Sequence, residues 1–383
     1  MKIHQHFVCV KLSLLFYRVN NMQSFCVARL ATVFIQLPIR LKSTGKRPSA
    51  PLGSRILNSS EDIFKHNMWD HVQWTEEDKE KARQMAEENS SVQLPIEEQG
   101  KFDSEAHHYW DKFYEVHQNK FFKDRRWLFL EFPELLPSGT NAQSTNTCQG
   151  HQHAGLPQQS TSSMYTETGH QQRSNTKTCT FPGQHASFRI LEVGCGVGNS
   201  VFPIVNNIKE TNSFIYCCDF SPSAIQLVKE HPDYDDSVCH AFVHDICEET
   251  ASFPFPPQSL DVILAVFVLS SIHPERMQGV VNRLSAHLKH GGVFLFRDYG
   301  RYDLSQLRFK KGRCLSENFY TRGDGTCVYF FTKEVHDLFS KAGLEVIQNL
   351  EDKRLQVNRG KKVVMRRVWM QSKYRKLCPP EHS

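Results

Sequence analysis

From residue 189 onward, short apolar runs alternate with segments of helical period. The runs at 189–193, 214–219, 241–245, 260–267 and 292–298 are too short for buried helices and read as strands. Helices are predicted between them, near 200–209, 222–230 and 274–288. A further helix over 333–342 leads to two more strands, near 344–350 and 362–370. Alternation of this kind makes a mostly parallel sheet with helices on both faces. Upstream, Ala106, Trp110, Phe113 and Tyr114 recur at helical spacing, and residues 121–132 repeat the pattern with Lys123, Arg125 and Arg126 interleaved. Residues 138–187 hold Ser, Thr, Gln, Gly and His with hardly an aliphatic side chain. They cannot bury enough surface to offset ordering entropy, so a disordered insert is expected there.

The first strand runs into Glu192-Val-Gly-Cys-Gly-Val-Gly-Asn199. Gly194, Gly196 and Gly198 allow the backbone to approach a ligand with no Cβ in the way. A dinucleotide fingerprint would place a third glycine or alanine where Asn199 stands, which weakens a pyrophosphate reading. Glu192 points the same way, because a carboxylate at a strand tip suits a cationic ligand such as S-adenosylmethionine. The plain alternative is a glycine-rich turn that binds nothing.

Ligands in open α/β sheets lie beyond the carboxyl ends of the strands. Asp219 ends the second strand, where a carboxylate can hold both ribose hydroxyls, and Asp245 ends the third, where it can accept from an adenine amino group. Either could instead be a helix cap, since Ser221 and Pro222 follow Asp219. The fourth strand ends in Phe267-Val-Leu-Ser-Ser-Ile-His-Pro274 and lacks the D/N-P-P-Y/F signature of exocyclic base-amine chemistry. His273 is expected to be structural rather than a general base. Arg297-Asp298 at the fifth strand reads equally as an ion pair or as a site.

Charge is distributed unevenly. Residues 1–60 hold nine Lys or Arg and no acid, leaving 37 of the 46 basic residues against all 41 acids in the remainder, a net of −4. A basic, acid-free stretch rich in Ser, Thr and apolar residues is the composition of a mitochondrial presequence, expected over 1–45. A secretory signal is the runner-up, interrupted by Lys11, and residence in the cytoplasm or nucleus is the alternative. Met22 could serve as the start. No run of eighteen apolar residues free of charge appears, so no membrane span is expected. The twelve cysteines form no C-x-x-C pair, so neither a disulfide framework nor a structural metal is expected.

Several motifs occur together: Phe121-Phe-Lys-Asp-Arg-Arg-Trp127, the glycine loop, Cys218-Asp-Phe-Ser-Pro222, Phe267-Val-Leu-Ser270, Arg297-Asp-Tyr-Gly300 and Glu317-Asn-Phe-Tyr320. As a set they resemble the methyltransferase-like tRNA 3-methylcytidine methyltransferases, from about residue 51 to 377 apart from the insert. Pro51-Leu-Gly-Ser-Arg-Ile-Leu57 and His66-Asn-Met-Trp-Asp-His71 are most similar to the mitochondrial member. The resemblance implies a Rossmann-like class I fold of seven mostly parallel strands (188–378) behind an N-terminal helical region (46–137). It also implies methyl transfer to N3 of cytidine 32 in the anticodon loop of mitochondrial threonine and serine tRNAs. On matching positions, Trp110, Tyr114, Lys123, Gly194, Asp219 and Asp245 would surround S-adenosyl-L-methionine, while Arg125 and Asp298 would hold the base. A partner such as seryl-tRNA synthetase is left open, and a monomer is expected. Two positions depart from the family: His290 replaces a usual proline, and Cys327 replaces a common arginine.

Residues 353–376 carry ten Lys or Arg and no acid: Lys353, Arg354, Arg359, Lys361, Lys362, Arg366, Arg367, Lys373, Arg375 and Lys376. That density favours phosphate contact over a merely solvated hairpin. A small-molecule or protein methyltransferase would not need it. An RNA-binding protein with a vestigial cofactor site is the other rival, against which the intact loop and its acids count. A dehydrogenase ranks last, for want of the third glycine.

Overall fold

The computed structural model describes residues 53–137 and 180–378. The expected presequence lies outside them, as does most of the expected insert. In chain order the elements begin with β1 (Met68–Trp69), α1 (Glu76–Ser90), α2 (Ile96–Ser104), α3 (Ala106–His117) and α4 (Leu128–Glu131). Next come β2 (Phe188–Val193), α5 (Val201–Ile208), β3 (Ser213–Asp219), α6 (Pro222–Lys229), β4 (Cys239–Val243) and β5 (Leu260–Val266). They continue with α7 (Pro274–His287), β6 (Leu288–Tyr299), α8 (Leu304–Leu307), β7 (Cys314–Ser316), β8 (Phe319–Thr321) and β9 (Cys327–Tyr329). The last are α9 (His336–Lys341), β10 (Leu344–Asn358) and β11 (Val363–Lys376).

The main sheet runs β1-β10-β11-β6-β5-β2-β3-β4. Neighbours from β6 to β4 are parallel, and the β10–β11 hairpin and β1 join antiparallel. Every residue of β3 is buried, as are the last four of β2, because helices cover both faces. Each of the seven expected strands is present, and both hairpin strands run well beyond their expected ends. The count rises to eight through β1, whose two residues pair with Gln356 and Leu355 of β10. A separate sheet, β7-β8-β9, was not expected at all.

The expected insert ends too late. Residues 180–187 form a turn against the sheet, in which Phe181 packs on the core, Arg189 Nε donates to Gly183 O at 2.9 Å, and Tyr216 Oη donates to Pro182 O. The Phe181 ring and the bond from Tyr216 to Pro182 hold this stretch to the sheet.

The N-terminal helices are held by the C-terminal hairpin. Arg354 is buried and pairs with Asp70, Glu131 and Asp352. Arg297, also buried, bonds Asp352 and Gln371, with its guanidinium over the rings of Trp127 and Trp369 at 5.0 and 4.9 Å. Lys373 reaches Glu134 at 2.7 Å. Buried charges survive in a core only when paired in this way. No helix among the described residues is long and apolar enough to cross a membrane.

Candidate active site

The turn after β2 depends on its glycines. Gly194 has φ +60, and a Cβ there would lie 2.2 Å from Val268 Cγ2; at Gly196, φ +53, it would meet the Tyr114 hydroxyl at 2.8 Å. Side chains are thus excluded by backbone conformation and by space together. Gly198, φ +87, turns the chain into α5 beneath the Phe202 ring.

Beyond the tips of β2, β3 and β4 opens a cavity of about 260 Å³. Trp110, Tyr114, Gly194, Asp219 and Asp245 line it, as the sequence suggested. Asp219 accepts from the Gly196 amide at 2.9 Å and the Ser221 amide at 3.0 Å, so it fixes the loop as well as facing the cavity. Ser221 meanwhile caps α6, so the capping alternative belongs to Ser221 rather than Asp219. Asp245, two residues past β4, accepts from the Cys247 amide at 2.8 Å.

Other expected residues lie elsewhere. Gly196 and Gly198 shape the turn without lining the cavity. Lys123 lines a different groove, behind the glycine loop, with Asn199, Phe202 and His231. Arg125, expected on the base, donates from Nη1 to Ser200 Oγ at 2.7 Å and stands 3.4 Å from Glu192 Oε1, its guanidinium over the Phe267 ring. Asp298 is fully buried and does not line the cavity. Its oxygens accept from the Ser270 and Tyr299 amides, each at 2.9 Å, tying the turn after β5 to β6. A fully buried carboxylate that accepts on each oxygen from a backbone amide serves geometry first.

Sequence reasoning missed several contributors. Asp111 accepts from Ser221 Oγ and the Ser223 amide, docking α3 on α6. Phe267 lines the cavity with a left-handed backbone, φ +58, a strained state for a bulky residue. Arg276 closes one side by donating to Asp103 Oδ1 at 3.1 Å. The only available signal for Asp111 was its place beside Trp110 on an aromatic helix.

Glu192 is fully buried, its Oε2 has no partner, and burial pushes its carboxyl up to about 7 despite Arg125. Burial likewise raises Asp219 to about 6. Asp219, facing the cavity beneath the Gly196 amide, fits a ligand carrying positive charge and hydroxyls, whereas Glu192, expected to bind the cofactor, does not line the cavity and pairs with Arg125 instead.

Of the basic residues at 353–376, Arg354, Lys373 and Arg367 are not free for RNA. Arg354 and Lys373 are buried and paired as above, and Arg367 bonds Asp303 at 2.8 Å. Lys376 caps carbonyls of Ser285 and Leu288 at the end of α7. The phosphate-facing surface expected from ten cations is therefore smaller. Arg359, Lys361, Lys362, Arg366 and Arg375 remain exposed, with Arg366 also reaching Asp78 at 2.9 Å. Lys353 pairs with Glu351. Cys327 is buried against Leu315 and Phe319, and His290 bonds Leu377 O at 2.7 Å; His273 Nδ1 accepts from the Glu275 amide and caps α7.

A family model described as a methyltransferase domain matches residues 191–294. The tRNA N(3)-cytidine methyltransferase METTL2 of Danio rerio is 55% identical over 336 residues, covering 88% of this chain and 91% of that protein. The chain belongs to the tRNA N(3)-cytidine methyltransferase family. METTL2B of Homo sapiens is 49% identical over 355 residues, covering 86% and 93%. The tRNA N(3)-cytidine methyltransferase METTL8, mitochondrial, of Mus musculus is 46% identical over 273 residues, covering 66% and 96%. The enzyme is thus an S-adenosylmethionine-dependent methyltransferase of EC class 2.1.1, acting on cytidine N3 in tRNA. The glycine turn and the cavity-lining Asp219 and Asp245 fit that cofactor's charge and hydroxyls.

Proposed function

We propose that the enzyme forms 3-methylcytidine at position 32 of the anticodon loop of mitochondrial threonine and serine tRNAs, in the mitochondrial matrix. The basic, acid-free character of residues 1–60 carries the compartment. The 46% identity to a relative named as mitochondrial supports it.

S-adenosylmethionine supplies an electrophilic methyl group on a sulfonium. The N3 lone pair of an unpaired cytosine attacks without prior loss of a proton, so the protein's task is chiefly to hold the partners in line. Asp219 holds the cationic cofactor at the cavity; Arg125 and Glu192, outside its lining, brace the strand that leads into the glycine loop. Asp298 sets the turn that carries Ser270, and its carboxylate favours the positive charge that develops on the base. Arg359, Lys361, Lys362 and Arg366 contact phosphates, and a loop nucleotide is reached without opening a stem.

A second reading, the same reaction on tRNAs outside the organelle, is favoured by the higher identity to relatives named without a compartment.

The test is tritiated methyl transfer to mitochondrial and cytosolic threonine and serine tRNA transcripts. It is run with and without seryl-tRNA synthetase and with a cytidine 32 to uridine control, while residues 1–60 fused to a fluorescent protein are followed in cells. Label confined to mitochondrial transcripts and lost in the control, with an imported fusion, is the expected result. Label on cytosolic transcripts with a cytosolic fusion would establish the second reading.

A further inference from the structure

Ser221 stands between two acids that reach it from different parts of the chain. Its amide donates to Asp219 Oδ1 at 3.0 Å, and its hydroxyl donates to Asp111 Oδ1 at 2.5 Å. Asp219 lines the cofactor cavity and accepts from the Gly196 amide, whereas Asp111 lies on α3 and does not line the cavity. One serine therefore ties the glycine turn, the carboxylate at the tip of β3 and the roof helix together.

The start of α6 depends on the same acid. Pro222, its first residue, has no N–H to satisfy. The Ser223 amide donates to Asp111 Oδ1 at 3.0 Å, and the Ala224 amide to Ser221 Oγ at 3.1 Å. Asp111 thus completes, from another helix, the partners that a helix N-terminus leaves open, and its charge suits the positive end of the α6 dipole.

The other fastenings of the roof are weaker or less directional. Asp103 of α2 pairs with Arg276 at 3.1 Å, but both side chains stay open to solvent, where ion pairs contribute little. Phe113 and Tyr114 pack on Val197 and Ala224, an apolar contact that holds α3 down without fixing its position along α6. Hydrogen bonds to a charged acceptor are both stronger and directional.

We propose that Asp111 is a positioning residue for the cofactor, a latch that sets Trp110 and Tyr114 over it. Those two aromatic residues flank Asp111 on α3 and line the cavity, with the Tyr114 hydroxyl close above Gly196. Asp111 touches no reacting atom and acts through Ser221. Without it the roof still packs but loses its register, so cofactor affinity falls while the chemical step, once the cofactor is bound, does not. The inference rests on the family's cofactor and is independent of which tRNA is methylated.

Three measurements test it. Calorimetry with S-adenosylhomocysteine should give a Kd roughly tenfold higher for Asp111→Ala, in line with lost hydrogen bonds to a charged acceptor. Asp111→Asn should bind nearly as wild type does, because its amide oxygen accepts from the same hydroxyl and amide. The Asp111→Ala, Ser221→Ala double variant should lose less than the two single losses combined. Steady-state methylation of a tRNA transcript that wild type accepts should show KM for S-adenosylmethionine raised by a similar factor in Asp111→Ala, with kcat held. Hydrogen exchange covers the case of a variant that does not fold: S-adenosylhomocysteine should slow exchange over residues 106–117 of wild type, and in folded Asp111→Ala that slowing should be lost. Asp111→Ala that melts lower yet binds S-adenosylhomocysteine like wild type would overturn the proposal and leave Asp111 a brace of α6. So would a kcat that falls with KM unchanged, or wild type whose α3 gains no protection from the ligand.

Discussion

Arg125 Nη1 stands 3.4 Å from Glu192 Oε1, while the other oxygen of that buried carboxylate has no partner. The pair leaves Glu192 half-compensated, so removing Arg125 strands a buried charge. Arg125→Ala should cost about 1–3 kcal/mol of stability, much of it recovered in the Arg125→Ala, Glu192→Gln double variant. Chemical denaturation of the four species measures the coupling; additive losses would mean the two residues act independently.

Glu192 and Asp219 titrate near 7 and 6, both above their ordinary values. The folded protein therefore holds these protons more tightly than the unfolded chain. Their contribution to stability is present below the unfolded-state values and lost as pH rises through about 6 to 7. Thermal melts should show the ligand-free wild type losing more stability than Glu192→Gln between about pH 5 and pH 8. S-adenosylhomocysteine, which carries an ammonium group, should raise Tm more at the upper end. Parallel curves for the two proteins would contradict this.

At Gly194 a Cβ faces both a left-handed backbone and Val268. Gly194→Ala should lose about 2–4 kcal/mol and weaken cofactor binding. Adding Val268→Ala should restore the packing part alone, as calorimetric Kd values and melts would show.

Asp298→Ala leaves the buried Ser270 and Tyr299 amides without an acceptor, with an expected loss of about 2–4 kcal/mol. Asp298→Asn keeps one acceptor oxygen. If Asp298 favours the charge on the base, Asp298→Asn should melt closer to wild type than Asp298→Ala does and still lose kcat. A kcat near that of wild type would reduce Asp298 to a brace.

The basic residues of the hairpin divide by role. Lys361→Ala and Lys362→Ala should each lower the slope of log K against log salt for tRNA binding by about 1, with Tm unchanged. Arg354→Ala should instead cost about 3–5 kcal/mol by stranding its buried carboxylate partners. Anisotropy titrations at several salt concentrations, paired with melts, separate the two.

The sheet was legible because its strands are continuous apolar runs, and the cofactor cavity because carboxylates recur at strand tips. Strands β7, β8 and β9 were not, since three residues are too few to show a period. The misread cations share one cause. Partners that hold Arg354, Arg367 and Lys373 include Asp70 and Glu131, Asp303 and Glu134, remote along the chain, and composition cannot distinguish a paired cation from a free one. Asp298 was found at the right strand end, but its bond to the Ser270 amide depends on the turn after another strand.

The ion pairs that join Asp70, Glu131 and Glu134 to Arg354 and Lys373 link early and late parts of the chain. During synthesis the early helices emerge long before their partners. The roof of the cavity, carried on α3, docks on α6 through Asp111, whereas the segments on either side of it, at Asp70 and at Glu131 and Glu134, are pinned only when the β10–β11 hairpin is in place. A polypeptide cut short before β11 would keep its glycine loop, the docking of α3 and most of its sheet while losing the clasp that Lys373 makes on Glu134.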